Sequence, residues 1–123
     1  MFCITLEPSH YKFIKDLGYI PVGLGEKNFK NNNDWFTDKS GINISKKNKN
    51  YGEYTFHYWL WRNYINKASF NDNWIGFCQY RKFWSHDKNF SSPVSMDQLN
   101  TLVLKEIPAL YKETDVILGE EIV

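Results

Sequence analysis

The sequence predicts an α/β protein with a mainly parallel sheet and helices on both faces. Three observations point there. Short apolar runs alternate with segments of helical period in the order β-α-β-α-β-α-β. The run Trp74-Ile75-Gly76-Phe77-Cys78-Gln79-Tyr80 is apolar on both alternating faces up to Gln79, as in a strand at the middle of a sheet, covered on each side. The 123 residues suit one domain, 1–123, large enough to bury a core without disulfides or metals.

Each element has its own signal. Phe2 to Thr5 is an apolar, partly β-branched run closed by Pro8 and reads as a buried strand. Ser9 then suits a helix cap, Tyr11, Phe13, Ile14 and Leu17 fall at helical spacing, and Gly18 stands where a left-handed C-terminal residue belongs. Tyr19 to Val22 is the next strand. The stretch from Glu26 to Asn50, rich in Asn, Lys and Asp, has no sustained period and reads as a long loop, the kind that in a compact domain is functional or mobile. Tyr51, Tyr54, Tyr58, Trp61 and Ile65 alternate steps of three and four and predict one long helix. Asn50 and Glu53 mark its start as cap and N3 acid, and Arg62 and Lys67 lie toward its C-terminal end, where cations complement the dipole. Ser95 and Gln98 form a capping box before a helix that should stop near Pro108, and Asp115 to Gly119 reads as a last strand.

Composition excludes several classes of function. A formal net charge of +1 offers no global field for nucleic acid or an anionic membrane. With 42% hydrophobic and 24% charged residues and no long apolar run, the chain reads as globular, neither disordered nor membrane-spanning. Its start lacks the basic and apolar regions of a signal peptide, which predicts a cytosolic protein. Cys3 and Cys78 sit inside strand-like runs, where a free thiol behaves as a small hydrophobe. His10, His57 and His86 lack paired metal-ligand spacing, and there is no C-x-x-C, P-loop, dinucleotide fingerprint, G-x-S-x-G elbow or Asp-x-Asp pair.

In an open α/β sheet, ligands gather at the carboxyl ends of the strands. That places the candidates in Thr5 to Pro8, Gly23 to Asn50, Tyr80 to Trp84 and beyond Leu118. Arg62 and Arg81 are the two arginines of a Lys-rich chain, and Arg81 leaves the strand predicted to be central. Its planar fork suits phosphate or carboxylate, with Lys82 as an added point charge; a surface ion pair is the alternative. Gly41 to Asn50 brings amides, a hydroxyl and Lys46, Lys47 and Lys49 toward a helix start, either an anion site or a solvated loop. Glu53 serves either as capping-box acid or as catalytic base. Tyr58, Trp59 and Trp61 could face a sugar or base, yet an aromatic stripe at helical spacing reads as core.

The motifs together resemble a known family. Gly41-Ile42-Asn43-Ile44-Ser45, Lys47-Asn48, Tyr51, Glu53, Thr55, Tyr58-Trp59, Trp61 and Asn63, then Ile75-Gly76-Phe77-Cys78-Gln79-Tyr80-Arg81-Lys82, with Val22-Gly23 earlier, are similar to the bacterial capsular polysaccharide biosynthesis family long labelled a domain of unknown function. Its usual pattern is Gly-Asp-Asn-Ile-Ser, Lys-Asn, Glu-Leu-Thr, Tyr-Trp, Trp-Lys-Asn and Ile-Gly-Leu-Cys-His-Tyr-Arg-Arg. The resemblance implies a glycosyltransferase-like, GT-A type nucleotide-sugar fold, Rossmann-like in topology. It implies a nucleotide diphosphate-sugar donor, a carbohydrate acceptor and a role in surface polysaccharide synthesis. Topology and resemblance together give a binding set of Thr5, Asn43, Ser45, Lys47, Asn48, Gln79 and Lys82, and a catalytic set of Tyr80, Arg81 and Glu53. The sequence fixes no cofactor or metal ligand, and Mn2+ or Mg2+ stays open. Ile42 stands for the family's Asp, Gln79 for its His and Lys82 for its second Arg, so proton transfer at position 79 is lost. The similarity corresponds to about the first half of the family's domain, so a missing C-terminal half or a second chain pairing at a bare sheet edge is expected. A non-catalytic carbohydrate- or nucleotide-binding module is the alternative function.

Overall fold

The computed structural model describes residues 1–30, 34–65, 74–86 and 94–119. Its sheet has four parallel strands in the order β3-β2-β1-β4: β1 Phe2–Thr5, β2 Ile20–Gly23, β3 Phe36–Thr37 and β4 Phe77–Gln79. Parallel strands need covering on both faces, and they have it. On one face Phe2, Ile4, Val22 and Leu24 pack with Phe56 and Leu60; on the other Cys3, Ile14, Leu17, Tyr19, Cys78 and Val103 form a second core. The α/β class with helices on both faces is therefore the observed architecture. Phe2 is the hub of the first core, its ring 5.4 Å from Phe36, 5.4 Å from Phe56 and 5.9 Å from Phe77.

The middle of the sheet differs from expectation. β1, buried at every residue, lies inside the sheet, whereas β4 is short and stands beside it at an edge. Apolarity on both faces of 74–80 reflects helices above and below, which an edge strand of a doubly covered sheet also has. Three of the four outward backbone groups of β4 are occupied by its own chain: Phe77 O accepts the Trp84 indole N–H at 2.7 Å, and Gln79 exchanges backbone bonds with Lys82 at 3.2 and 3.0 Å. A second chain pairing along that edge would have to displace these bonds.

Helix α1 (Tyr11–Asp16) follows a 3-10 turn at Pro8–His10, so Ser9 lies inside that turn and caps nothing. Gly18 takes its positive φ of 76° as expected. The supposed loop from 26 to 50 contains β3, a 3-10 turn Ser45–Lys47 and the start of α2 (Asn48–Tyr51). The single long helix is broken. Gly52, at φ 54° and ψ −130°, separates α2 from α3 (Tyr54–Leu60), which continues as a π-helical turn, Trp61–Ile65. Lys67 lies outside the described residues. Asn50 falls inside α2, and neither it nor Glu53 acts as a side-chain cap.

The break also turns the helix. Tyr51, Tyr54 and Trp61 are exposed, while Thr55, Phe56 and Leu60 are buried; of the aromatics read as core, Trp59 packs against it, Tyr58 is half-buried and Trp61 faces outward. Helix α4 (Met96–Leu102) carries the Ser95–Gln98 capping box as predicted. It ends before Pro108 because Val103 turns extended, at φ −73° and ψ 143°, to bridge with Ser85. Residues 115–119 form no strand; Val116 and Leu118 are 69% and 83% exposed, without a neighbour to ladder against among the described residues.

Candidate functional site

Because all four strands are parallel, their carboxyl ends Thr5, Gly23, Thr37 and Gln79 share one rim of the sheet. β1-α1-β2 crosses on one face and β3-α3-β4 on the other, and right-handed crossovers on opposite faces travel in opposite directions. β4 therefore lands on the far side of β1 from β2, and the crevice between β1 and β4 is the topological switch point where such sheets bind ligands.

The crevice gathers several of the predicted residues. Thr5, buried at the end of β1, accepts the Glu7 amide at 3.0 Å and lies 2.7 Å from His10 Nδ1. The His10 ring stacks on Tyr80 at 4.5 Å, and the Arg81 guanidinium rests 5.3 Å from the same Tyr80 ring. Tyr80 is tied to β1 by its amide, which donates to Ile4 O at 3.1 Å. Arg81 and Lys82 are exposed on a tight turn closed by Lys82 N donating to Gln79 O. Arg81 makes no ion pair among the described residues, so its guanidinium faces the rim uncommitted. Glu7 is paired with Lys27, which leaves the local field of the turn positive.

On the α3 side of β4, Gln79 Nε2 donates to Glu53 Oε2 at 2.5 Å. One helical turn on, His57 packs 4.2 Å from Phe77. Burial holds its imidazole below the ordinary 6.5, with the Glu53 charge opposing the shift, and its Nε2 is buried without a hydrogen-bond partner among the described residues. Glu53 thus makes no side-chain cap; its carboxylate ties the end of β4 to α3.

The remaining predicted residues, apart from exposed Lys47, are bonded within their own loop and the neighbouring helices. Asn43 folds its own loop, donating to Lys39 O and Gly41 O at 3.3 and 3.0 Å and accepting from the Ser45 amide and hydroxyl at 3.2 and 2.9 Å. Asn48 Nδ2 donates to Gly52 O and Thr55 Oγ1 at 2.9 and 3.0 Å, which braces the helix break. Lys47 is exposed on the turn between them. Asn63 clasps this loop to the π-helical turn: its Oδ1 accepts from Ile42 N at 2.9 Å, and its Nδ2 donates to Ile42 O at 2.7 Å and Trp59 O at 2.9 Å. The Trp59 indole donates to Ser40 O at 2.9 Å. Gly41 is required by the clasp, since it holds φ 56° and a Cβ there would stand 2.3 Å from Asn63 Oδ1.

Two residues at the rim were missed. His10 sits two positions beyond the window named after β1, and its helical context hid it. Asp38 follows β3, a strand too short to show a period; its side chain is buried to 1% exposure, and neither oxygen has a hydrogen-bond partner among the described residues. A cavity of about 430 Å³ lies elsewhere, lined by His86, Lys105, Glu106 and Lys112 among others, and it contains none of the predicted residues.

These features define an α/β protein with a switch-point crevice rimmed by a stacked arginine and a histidine. A family model described as a domain of unknown function, DUF4422, matches residues 4–122, and the chain belongs to that family. No curated protein and no solved structure matches it.

Proposed function

We propose that the chain is a glycosyltransferase-like domain of GT-A type, which binds a nucleotide diphosphate-sugar in the β1–β4 crevice and transfers the sugar during surface polysaccharide synthesis. The observation that carries this reading is Arg81, stacked on Tyr80 at the carboxyl end of β4 and without an ion-pair partner among the described residues. A guanidinium so placed grips phosphate oxygens with paired N–H groups, and Lys82 adds a point charge. Resemblance to the capsular polysaccharide family supplies the substrate class.

In transfer, the bond between the anomeric carbon and the diphosphate breaks, and its electron pair leaves on the diphosphate. Arg81 and Lys82 stabilise that growing charge. The acceptor hydroxyl bonds to the anomeric carbon and releases its proton to solvent water.

A non-catalytic binding module is the second reading. Glu53 favours it, because its carboxylate is held by the Gln79 amide, a group that relays no proton. Titration with nucleoside diphosphates and nucleotide sugars, with and without Mn2+, followed by tryptophan fluorescence, tests the site. Saturable binding of one nucleotide is the expected result, and a folded chain that binds none refutes it. Slow hydrolysis of the bound donor to free diphosphate separates the enzyme from the module.

A further inference from the structure

We propose that His10 is a diphosphate-binding residue of the crevice, offering an Nε2–H donor whose tautomer is set by Thr5. The proposal rests on the reading of the crevice as a nucleotide-sugar site and names one donor that recognises the diphosphate there.

The argument begins with a hydroxyl. Thr5 Oγ1 is buried and carries one hydrogen and two lone pairs. One lone pair takes the Glu7 amide at 3.0 Å; the other contact, at 2.7 Å, is His10 Nδ1. If Nδ1 carried the ring hydrogen, the hydroxyl hydrogen would be buried with no acceptor among the described residues, a costly arrangement. The hydroxyl therefore donates, Nδ1 accepts, and the hydrogen of the neutral ring stands on Nε2.

That second nitrogen is available. Among the described residues Nε2 of His10 has no hydrogen-bond partner, and unlike Nε2 of His57 it is not a buried orphan. The ring cannot turn freely, because Thr5 holds one edge and Tyr80 stacks against its face at 4.5 Å. Thr5 ends β1 and Tyr80 follows β4, so the imidazole spans the two strands that flank the switch point. Arg81 rests on the same Tyr80 ring at 5.3 Å, so an imidazole and a guanidinium share one aromatic ring beside the switch point. A neutral donor here adds a directed hydrogen bond to the positive charge of Arg81 and Lys82.

Two measurements on the full chain test the assignment. In nitrogen-15 NMR of the imidazole, the Nε2–H tautomer is expected for His10; a predominant Nδ1–H form overturns the proposal. Affinity for UDP, GDP, CDP and ADP, read by tryptophan fluorescence, is then compared among variants whose unfolding midpoints match wild type. His10→Asn keeps a polar group beside Thr5 but has nothing at the Nε2 position, and binding should weaken about tenfold or more. His10→Gln carries an amide N–H to that position and should stay within about threefold of wild type. Equal affinity of His10→Asn and wild type removes His10 from the site while leaving the crevice reading intact. Equal losses in the two variants also overturn the donor role. A wild-type chain that binds none of the four nucleotides overturns the crevice reading, and this assignment with it.

Discussion

The loop after β3 and the turn after β4 leave the same rim of the sheet, yet their polar groups are used in opposite ways. Asn43, Ser45, Asn48 and Asn63 are bonded to their own loop and helices. Arg81 and Lys82 are exposed, and His10 keeps one nitrogen free among the described residues. The motif residues thus divide into a group that builds the rim and a group at the crevice whose donors remain uncommitted. A shared motif is no guide to which group a residue joins; its hydrogen-bond partners are.

Four changes would break or sharpen that division. Asn63→Ala removes three hydrogen bonds and should cost about 2–3 kcal/mol of stability in denaturant unfolding. If it instead lowers nucleotide affinity at unchanged stability, the clasp is part of the binding site and the division fails. Arg81→Ala should weaken nucleoside diphosphate binding about ten- to a hundredfold, with stability within about 0.5 kcal/mol of wild type, because the side chain is exposed. An unfolding shift without an affinity change would move Arg81 to the building group.

Asp38→Asn sharpens the comparison at the far end of the rim. Replacing a buried carboxyl group that has no hydrogen-bond partner among the described residues with a neutral isostere should raise stability by about 1 kcal/mol; a marked loss in thermal melting would show that the group is partnered after all. The smallest effect concerns His57. Burial lowers its folded value below 6.5, so the unfolded chain takes up the proton more readily, and stability falls as pH drops from about 6.5 through that lower value. His57→Leu should flatten this part of the profile of melting temperature against pH. An unchanged slope would assign it to other groups.

Much of the frame was legible because its signals are local. Phe2–Thr5 is an uninterrupted apolar run, Gly18 ends a helix where left-handed φ is needed, and Ser95 with Gln98 spells a capping box. What failed depends on partners. β3 is two residues long and exists through pairing with β2, while the run at 115–119 has apolar composition but no strand to pair with among the described residues. The long helix failed at Gly52, whose turn is braced by Asn48 and Thr55, and the true inner face, Thr55, Phe56 and Leu60, was outweighed by a stripe of larger aromatics. Of the site, Thr5, Tyr80 and Arg81 were found because strand ends are predictable. Glu53 and Gln79 were each singled out, but their mutual bond spans 26 positions and carries no local signal. The thiols of Cys3 and Cys78, set side by side by strand register, are free as expected; their hydrogen bond and burial push Cys78 well above the usual thiol range.

The hook formed by Lys82 and Trp84 gives β4 a defence against its own kind. An exposed parallel edge is a template on which other unfolded or newly made chains can stack, and β-rich assemblies grow from such templates. Here an incoming strand meets an indole and a tight turn already seated on the Phe77 and Gln79 groups it would need. Crowded copies of this protein should therefore resist fibre growth from that side, and loss of Trp84 would be felt first as a tendency to aggregate.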